Sequence, residues 1–519
     1  MLPGLVALGV TFAIALATAM LATQPTTDAE RALSLEESKS FARAEAIYAR
    51  VLREDPTVPV LLDFISNHRR GVVDAARRQS EGRAAREPGK AMMDDDAVES
   101  LLDELPPELR LVARFVAARA PAPEVEDAIA AGAAREPPVP WYNHVLGGVA
   151  LRAGAMSQAA VFFIREGLAF PERSDDVDRA IGLFIEGNDW DEVRSRMADP
   201  RVVAAASPDT KAQFAVHERD WVRALKWYVV GWRGRLTPSG LAMSGVAALA
   251  WAFFCARLGK LGQRPARRLA FYLTAFVLGV LSVVPTVALI SLEEAKLRLV
   301  ETGDTVRDLL YFVFGVGLRE EASKLAMFAL LLPFLRRWGD KLDVLICGAM
   351  VGLGFAAEEN LGYLASGDIH TELGRFLTAN FLHIAMTGTL ATALDDFVSD
   401  PGERSSAFSN TALTVVGLHG AYDFLVSHRE FGGGYMAMVA FVFLTRVFLA
   451  AVQRARDRVD RGLTPLHAFV LATAVVTGVS AAYATVAVGP LEAATAMAEG
   501  LLSEAITVAV FVSTLNAMQ

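Results

Sequence analysis

The stretch "GVGLREEASKLAMFALLLPFL", Gly315 to Leu335, places Arg319, Glu320, Glu321 and Lys324 in a run otherwise apolar enough to cross a bilayer. A charged side chain at the centre of a membrane helix costs roughly 2.5–3.5 kcal/mol on insertion scales, so such groups default to a functional reading. On a helix Lys324 lies one turn from both acids and can pair with either, which reduces that penalty. Two readings stay open on this stretch alone: a structural ion pair that locks helices, and a reaction centre.

The rest of the chain supplies the context. Hydrophobic residues make up 53% of its 519 residues, and the mean hydropathy is +0.34. Apolar runs long enough to span a hydrocarbon core begin near residue 240. We draw nine spans, at about 240–259, 269–290, 308–335, 342–364, 374–398, 405–427, 433–453, 464–487 and 490–515. The fold class read from this is all-α: a polytopic helical membrane bundle in 240–519. A net charge of −9 offers no basic stripe for nucleic acid. The two cysteines, Cys255 and Cys347, both fall in drawn spans and read as small buried apolar residues, not as a disulfide framework or thiolate zinc site.

Ahead of the bundle, "LPGLVALGVTFAIALATAMLA" in residues 1–22 reads as a retained signal anchor or a cleaved signal peptide. Residues 23–239 are polar and helical in period, and two stretches resemble tetratricopeptide units. "FARAEAIYARVLREDP" carries Ala44, Tyr48 and Pro56 at that motif's spacing. "VLGGVALRAGAMSQAAVFFIREGLAFP" carries Leu146, Gly147, Ala159, Phe163 and Pro171. A generic helical array accounts for the same residues. Either way the expected partner of 23–239 is an extracytoplasmic peptide or protein. His68, His144 and His217 have no partners at ligand spacing and read as surface residues. The basic loops "CARLGKLGQRPARR", "RRWGDK" and "QRARDRVDRG" share one side if the spans alternate, and the positive-inside rule makes that side cytoplasmic. Residues 23–239 are then extracytoplasmic, although the basic "RALKWYVVGWRGR" just outside the first span runs against this. The localisation expected is a bacterial-type inner membrane.

Three further motifs follow the first. "GLGFAAEENLGY" holds small residues for close helix approach, then Glu358, Glu359 and Asn360. The two acids sit about 100° apart around the helix, so only one can face a shared centre. "RFLTANFLHIAMTGT" brings Arg375 and His383, and "GLHGAYDFL" brings His419 and Asp423 at i,i+4 spacing, which suits a carboxylate orienting an imidazole or two ligands of one metal. From the outer ends of their spans, Glu320, Glu359, His383 and His419 lie about 12, 5, 9 and 8 residues in. At about 1.5 Å per residue they fall in one band roughly 10 Å deep. No serine or cysteine nucleophile accompanies the histidines, which leaves activation of water by a desolvated glutamate or by bound zinc. A proton-coupled transporter is one alternative, and a non-catalytic scaffold with a peptide-binding domain is another.

In this order on consecutive spans, Glu320-Glu321-x-x-Lys324, "GFAAEEN", Arg375 with His383, and His419-x-x-x-Asp423 resemble the PrsW family of intramembrane proteases. That family is similar to the CAAX prenyl endopeptidases. The resemblance covers about 300–430 and is expected to extend over 240–519. It implies an embedded endopeptidase that cleaves membrane-protein substrates near the extracytoplasmic boundary, an anti-sigma-like factor among them. Carried onto this chain, Glu320 and Glu321 activate water with Lys324 tuning them, and Glu359 with Asn360 completes the polar centre. His383 and His419 stabilise the oxyanion or bind metal, with Glu321 as a third ligand if metal is present, and Asp423 orients His419. Glu358 is an extra acid beside the family's Glu-Asn pair, and 23–239 has no counterpart in the minimal family member.

Overall fold

The computed structural model describes residues 27–37, 40–80, 91–118, 121–259, 264–297, 299, 301–302, 304–365, 375–428, 433–455 and 464–517. Among them every regular element is a helix. The N-terminal apolar run and the loop stretches 260–263, 366–374 and 456–463, on which part of the orientation argument rests, lie outside the described residues. The chain divides into two compact units, one of residues 24–234 and one that contains 235–519.

The first unit is a succession of short helices, from Asp28–Glu37 to Trp221–Arg235. One core gathers Tyr48, Phe64 and Ile129, and a second gathers Phe163, Ile181 and Val193. Ala44 and Tyr48 are fully buried. Helices Tyr142–Arg152 and Met156–Ala169 form a hairpin in which the Phe163 ring fills the space a side chain at Gly147 would need. These contacts belong to any tightly packed helical hairpin and do not by themselves make the unit a tetratricopeptide array. The histidines differ from expectation. His68 Nδ1 lies 2.6 Å from buried Glu45, His144 lies 2.8 Å from Asp176, and His217 stacks on Trp190. Their partners come from distant sequence, where no local spacing could reveal them.

In the second unit Pro238, Pro265, Pro401, Pro465 and Pro490 each open a long helix, where a missing N–H leaves nothing unsatisfied. Thr237, Asp400 and Thr464 cap the helices that follow them. Among the described residues five segments are long and apolar enough to cross a membrane: Pro238–Leu258, Pro265–Ile290, Arg375–Ser399, Ala437–Ala455 and Pro465–Val486. This is a multi-pass membrane protein. The other four drawn spans are occupied by helices Leu318–Trp338, Lys341–Ala365, Pro401–Ser427 and Pro490–Ala517.

Helix Lys341–Ala365 sits at the centre. A Cβ at Gly352 would run into the carbonyl of His383, and one at Gly354 into the carbonyl of Phe276. Glycine at these two positions lets the helix approach a neighbour on either side. Trp251 closes the packing, with its indole N–H donating to the Phe376 carbonyl at 2.6 Å. Around it Phe254, Phe381, Phe469 and Phe511 form a buried aromatic group.

Candidate active site

Four helices meet at one end of the bundle. We refer to them by a residue each: the Glu320 helix, Leu318–Trp338; the Glu359 helix, Lys341–Ala365; the His383 helix, Asn380–Ser399; and the His419 helix, Pro401–Ser427. Glu320 and His383 stand in the opening turns of theirs, Glu359 and His419 in the later turns, so an up-and-down succession brings all four level. A π-helical turn precedes both the Glu320 helix, at Tyr311–Gly317, and the His383 helix, at Arg375–Ala379. Such turns shift the helical register locally and recur at functional sites.

Lys324 is the hub and is fully buried. Its Nζ lies 2.8 Å from Glu321, 3.4 Å from Glu320 and 2.9 Å from His383 Nδ1. It also sits 4.0 Å above the centre of the Phe355 ring. An ammonium has three protons and no lone pair, so these three partners use all of them. Its donation to His383 Nδ1 leaves Nε2–H to donate to Glu359 at 3.0 Å. Arg375 holds the other oxygen of Glu359 at 2.9 Å and lies over the Tyr363 ring. Glu359 is thus a carboxylate that faces the centre.

Glu321 has no exposed surface. It accepts from Lys324, from Thr387 at 3.2 Å and from His419 Nδ1 at 2.9 Å. The other nitrogen of His419 faces Asp423 at 3.4 Å and Glu320 at 3.5 Å. Among the described residues neither His383 nor His419 bonds a serine, threonine or cysteine. Eight of the nine residues singled out in the sequence therefore join one network. The ninth, Asn360, donates its amide to Asn380 at 2.8 Å and ties the Glu359 and His383 helices beside it.

Sequence reasoning passed over Thr387, Asn380, Tyr363 and Glu293. The first two lie one turn either side of His383 and Tyr363 one turn beyond Glu359, so helical spacing could have found them. Glu293, which pairs with Arg319 at 3.0 Å, gives no such signal.

Glu320, His383 and His419 offer ligand atoms within 4.8 Å of one another, all buried. The carboxylate in this group is Glu320, where the sequence pointed to Glu321. One other group this close exists among the described residues: Glu301, Asp308 and His428. There Asp308 accepts from the Thr302 amide and hydroxyl and faces His428, which fastens the loop to the end of the His419 helix.

Residues 267–451 match the model of the PrsW family of intramembrane metalloproteases. No curated protein and no solved structure matches the chain. The PrsW match contains every residue of the network and supports intramembrane peptidase activity for this segment. It leaves residues 1–266 and 452–519 uncovered.

Proposed function

We propose that the chain is an intramembrane endopeptidase that hydrolyses peptide bonds of membrane-protein substrates near the extracytoplasmic boundary, with Glu320 moving the proton. The observation that carries this is the convergence of four sequence-distant motifs on one buried network whose histidines hydrogen-bond, among the described residues, to carboxylates and Lys324. With no nucleophilic hydroxyl or thiol on either histidine, water is the nucleophile.

The two adjacent acids divide the work. Glu321 is enclosed and fully engaged, so it orients His419 and holds the charge of Lys324. The Glu320 side chain retains 11% exposure and longer contacts, which suits the group that takes a proton from water and returns it to the leaving amine. His419, held at Nδ1 by Glu321, presents Nε2 beside Glu320 and can donate to the developing oxyanion. Glu359, clamped by Arg375 and His383, lines the open side of the network and positions the substrate.

The donor set fits a metal. Nε2 of His419 points at two carboxylates, an arrangement that needs a proton or a cation between them. Nδ1–H donating to Glu321 is the carboxylate–imidazole support usual behind a metal ligand. Two histidines and a glutamate are a zinc-type donor set. Glu320, His383 and His419 would hold the ion, which when bound supplies Lewis acidity and a more acidic water. Because His383 is bonded at both nitrogens, holding an ion there displaces Lys324 or Glu359. We further read residues 24–234 as extracytoplasmic and as the part that docks a peptide or protein.

The test is proteolysis in reconstituted liposomes with co-expressed single-span membrane proteins as substrates. Glu320→Gln and His383→Ala should each lower the rate by roughly 10²–10⁴-fold, the usual worth of a positioned acid–base group. Loss of cleavage on chelation, restored by zinc, would assign the metal form. Cleavage by the variants at the wild-type rate would remove the reading altogether.

A further inference from the structure

A pocket of about 440 Å³ opens on the 24–234 unit, between helices Val58–Ser80, Pro107–Ala117, Tyr142–Arg152 and Ser174–Glu186. Its walls carry Arg69, Arg70, Arg152 and Arg179, and no carboxylate lines it. Its floor is apolar, with Leu62, Ile65 and Val145. On a chain of net charge −9 such a concentration of arginine is not a compositional accident of a basic protein.

The four guanidinium groups are not equivalent. Arg70 already pairs with Glu36 at 2.8 Å. Arg69 is anchored by donating to the carbonyls of Val116 and Ala117 at 2.7 and 2.9 Å. Arg179 lies over the Phe163 ring at 4.5 Å. Among the described residues Arg69, Arg152 and Arg179 have no carboxylate partner. Burial, and after it the charge of Arg152, hold the Arg69 guanidinium below its ordinary range.

We infer that this pocket binds an acidic peptide segment, whose carboxylates pair with Arg69, Arg152 and Arg179 while its apolar side chains rest on Leu62, Ile65 and Val145. Planar guanidinium forks match carboxylates in a bidentate manner. The volume exceeds that of a bare inorganic anion, and an apolar floor is wasted on one. The inference rests on the docking role proposed for this unit and names the chemistry of what docks.

The experiment uses the full-length chain in detergent, carrying Glu320→Gln so that a bound peptide stays intact. Fluorescence anisotropy follows a labelled peptide of alternating Glu and Leu, and the same peptide with every Glu replaced by Gln. The acidic peptide should bind at least about tenfold tighter, a difference of about 1.4 kcal/mol, and the advantage should shrink at high salt. Arg152→Glu and Arg179→Glu should each remove it, while Arg165→Glu, outside the pocket, should not. If the Gln peptide binds as tightly, the docking role stands and the acidic preference falls; if neither binds, both fall. Displacement of the peptide by anionic phospholipid vesicles, with the same dependence on Arg152, would overturn the peptide in favour of a lipid headgroup. None of these outcomes bears on the peptidase reading, which is measured by cleavage.

Discussion

Lys324 and Glu321 are both fully enclosed and 2.8 Å apart, so neither can be neutralised by water if the other is removed. Breaking one partner of a buried pair costs about 3–5 kcal/mol, because the survivor is left as an uncompensated charge. Lys324→Met should therefore lower thermal stability strongly as well as activity, and the double variant Lys324→Met/Glu321→Leu should recover much of the stability without recovering cleavage. A thermal unfolding series beside the proteolysis assay separates the two effects. Should Lys324→Met unfold like the wild type, the pair is solvated and the network reading fails at its hub. The same physics explains why four ionisable residues in an apolar run were readable at once from sequence, whereas Thr387 was not: a buried charge is expensive everywhere, a buried hydroxyl is common.

At the scale of elements, the site depends on how closely helices approach. Gly352 faces the backbone of His383 itself, so added bulk there must push the His383 helix away from the Glu359 helix. Overpacking of this kind typically costs about 1–3 kcal/mol. Gly352→Ala should destabilise the protein and reduce kcat, through displacement of His383 from Glu359. Gly362→Ala, on the same helix with no neighbour in the way, should leave both unchanged, and equal behaviour of the two variants in unfolding and cleavage would refute the packing argument. The contrast within the Glu359 helix is also informative. Near its start Asp343 pairs with Arg268 at 2.7 Å, both buried, some 24 Å along the axis from Glu359 at 1.5 Å per residue. That ion pair joins two helices and stands apart from the histidines. Buried charge alone does not mark a reaction centre; charge that converges from four helices on two imidazoles does.

For the whole molecule, the proposed orientation places residues 24–234 outside the cytoplasm. Both native cysteines, Cys255 and Cys347, are fully buried, so a single introduced thiol can report on sidedness without background. Glu126→Cys, at an exposed position of the first unit, should react with a membrane-impermeant thiol reagent in intact spheroplasts. Labelling only after the membrane is permeabilised would invert the topology and place the Arg-lined pocket on the cytoplasmic side.

The sequence by itself determined that this is an all-helical membrane protein with a polar helical unit ahead of the bundle, and it placed the ionisable motifs on successive helices. Hydrophobic run length and helical period are local properties, and both survive in a single chain read residue by residue. Each of the nine spans it drew is occupied by helix in the structure, and five of these segments are long and apolar enough to cross a membrane among the described residues. Only the tertiary structure decided that Glu359 meets Arg375 and His383, that Glu321 is enclosed while Glu320 keeps an opening, and that Asn360 serves the helix pair beside the network. It alone paired His144 with Asp176 and gathered Arg69, Arg152 and Arg179 around one pocket. These are contacts between residues tens of positions apart, and the rotation of one helix against another, which sets them, leaves no periodic trace in either helix alone.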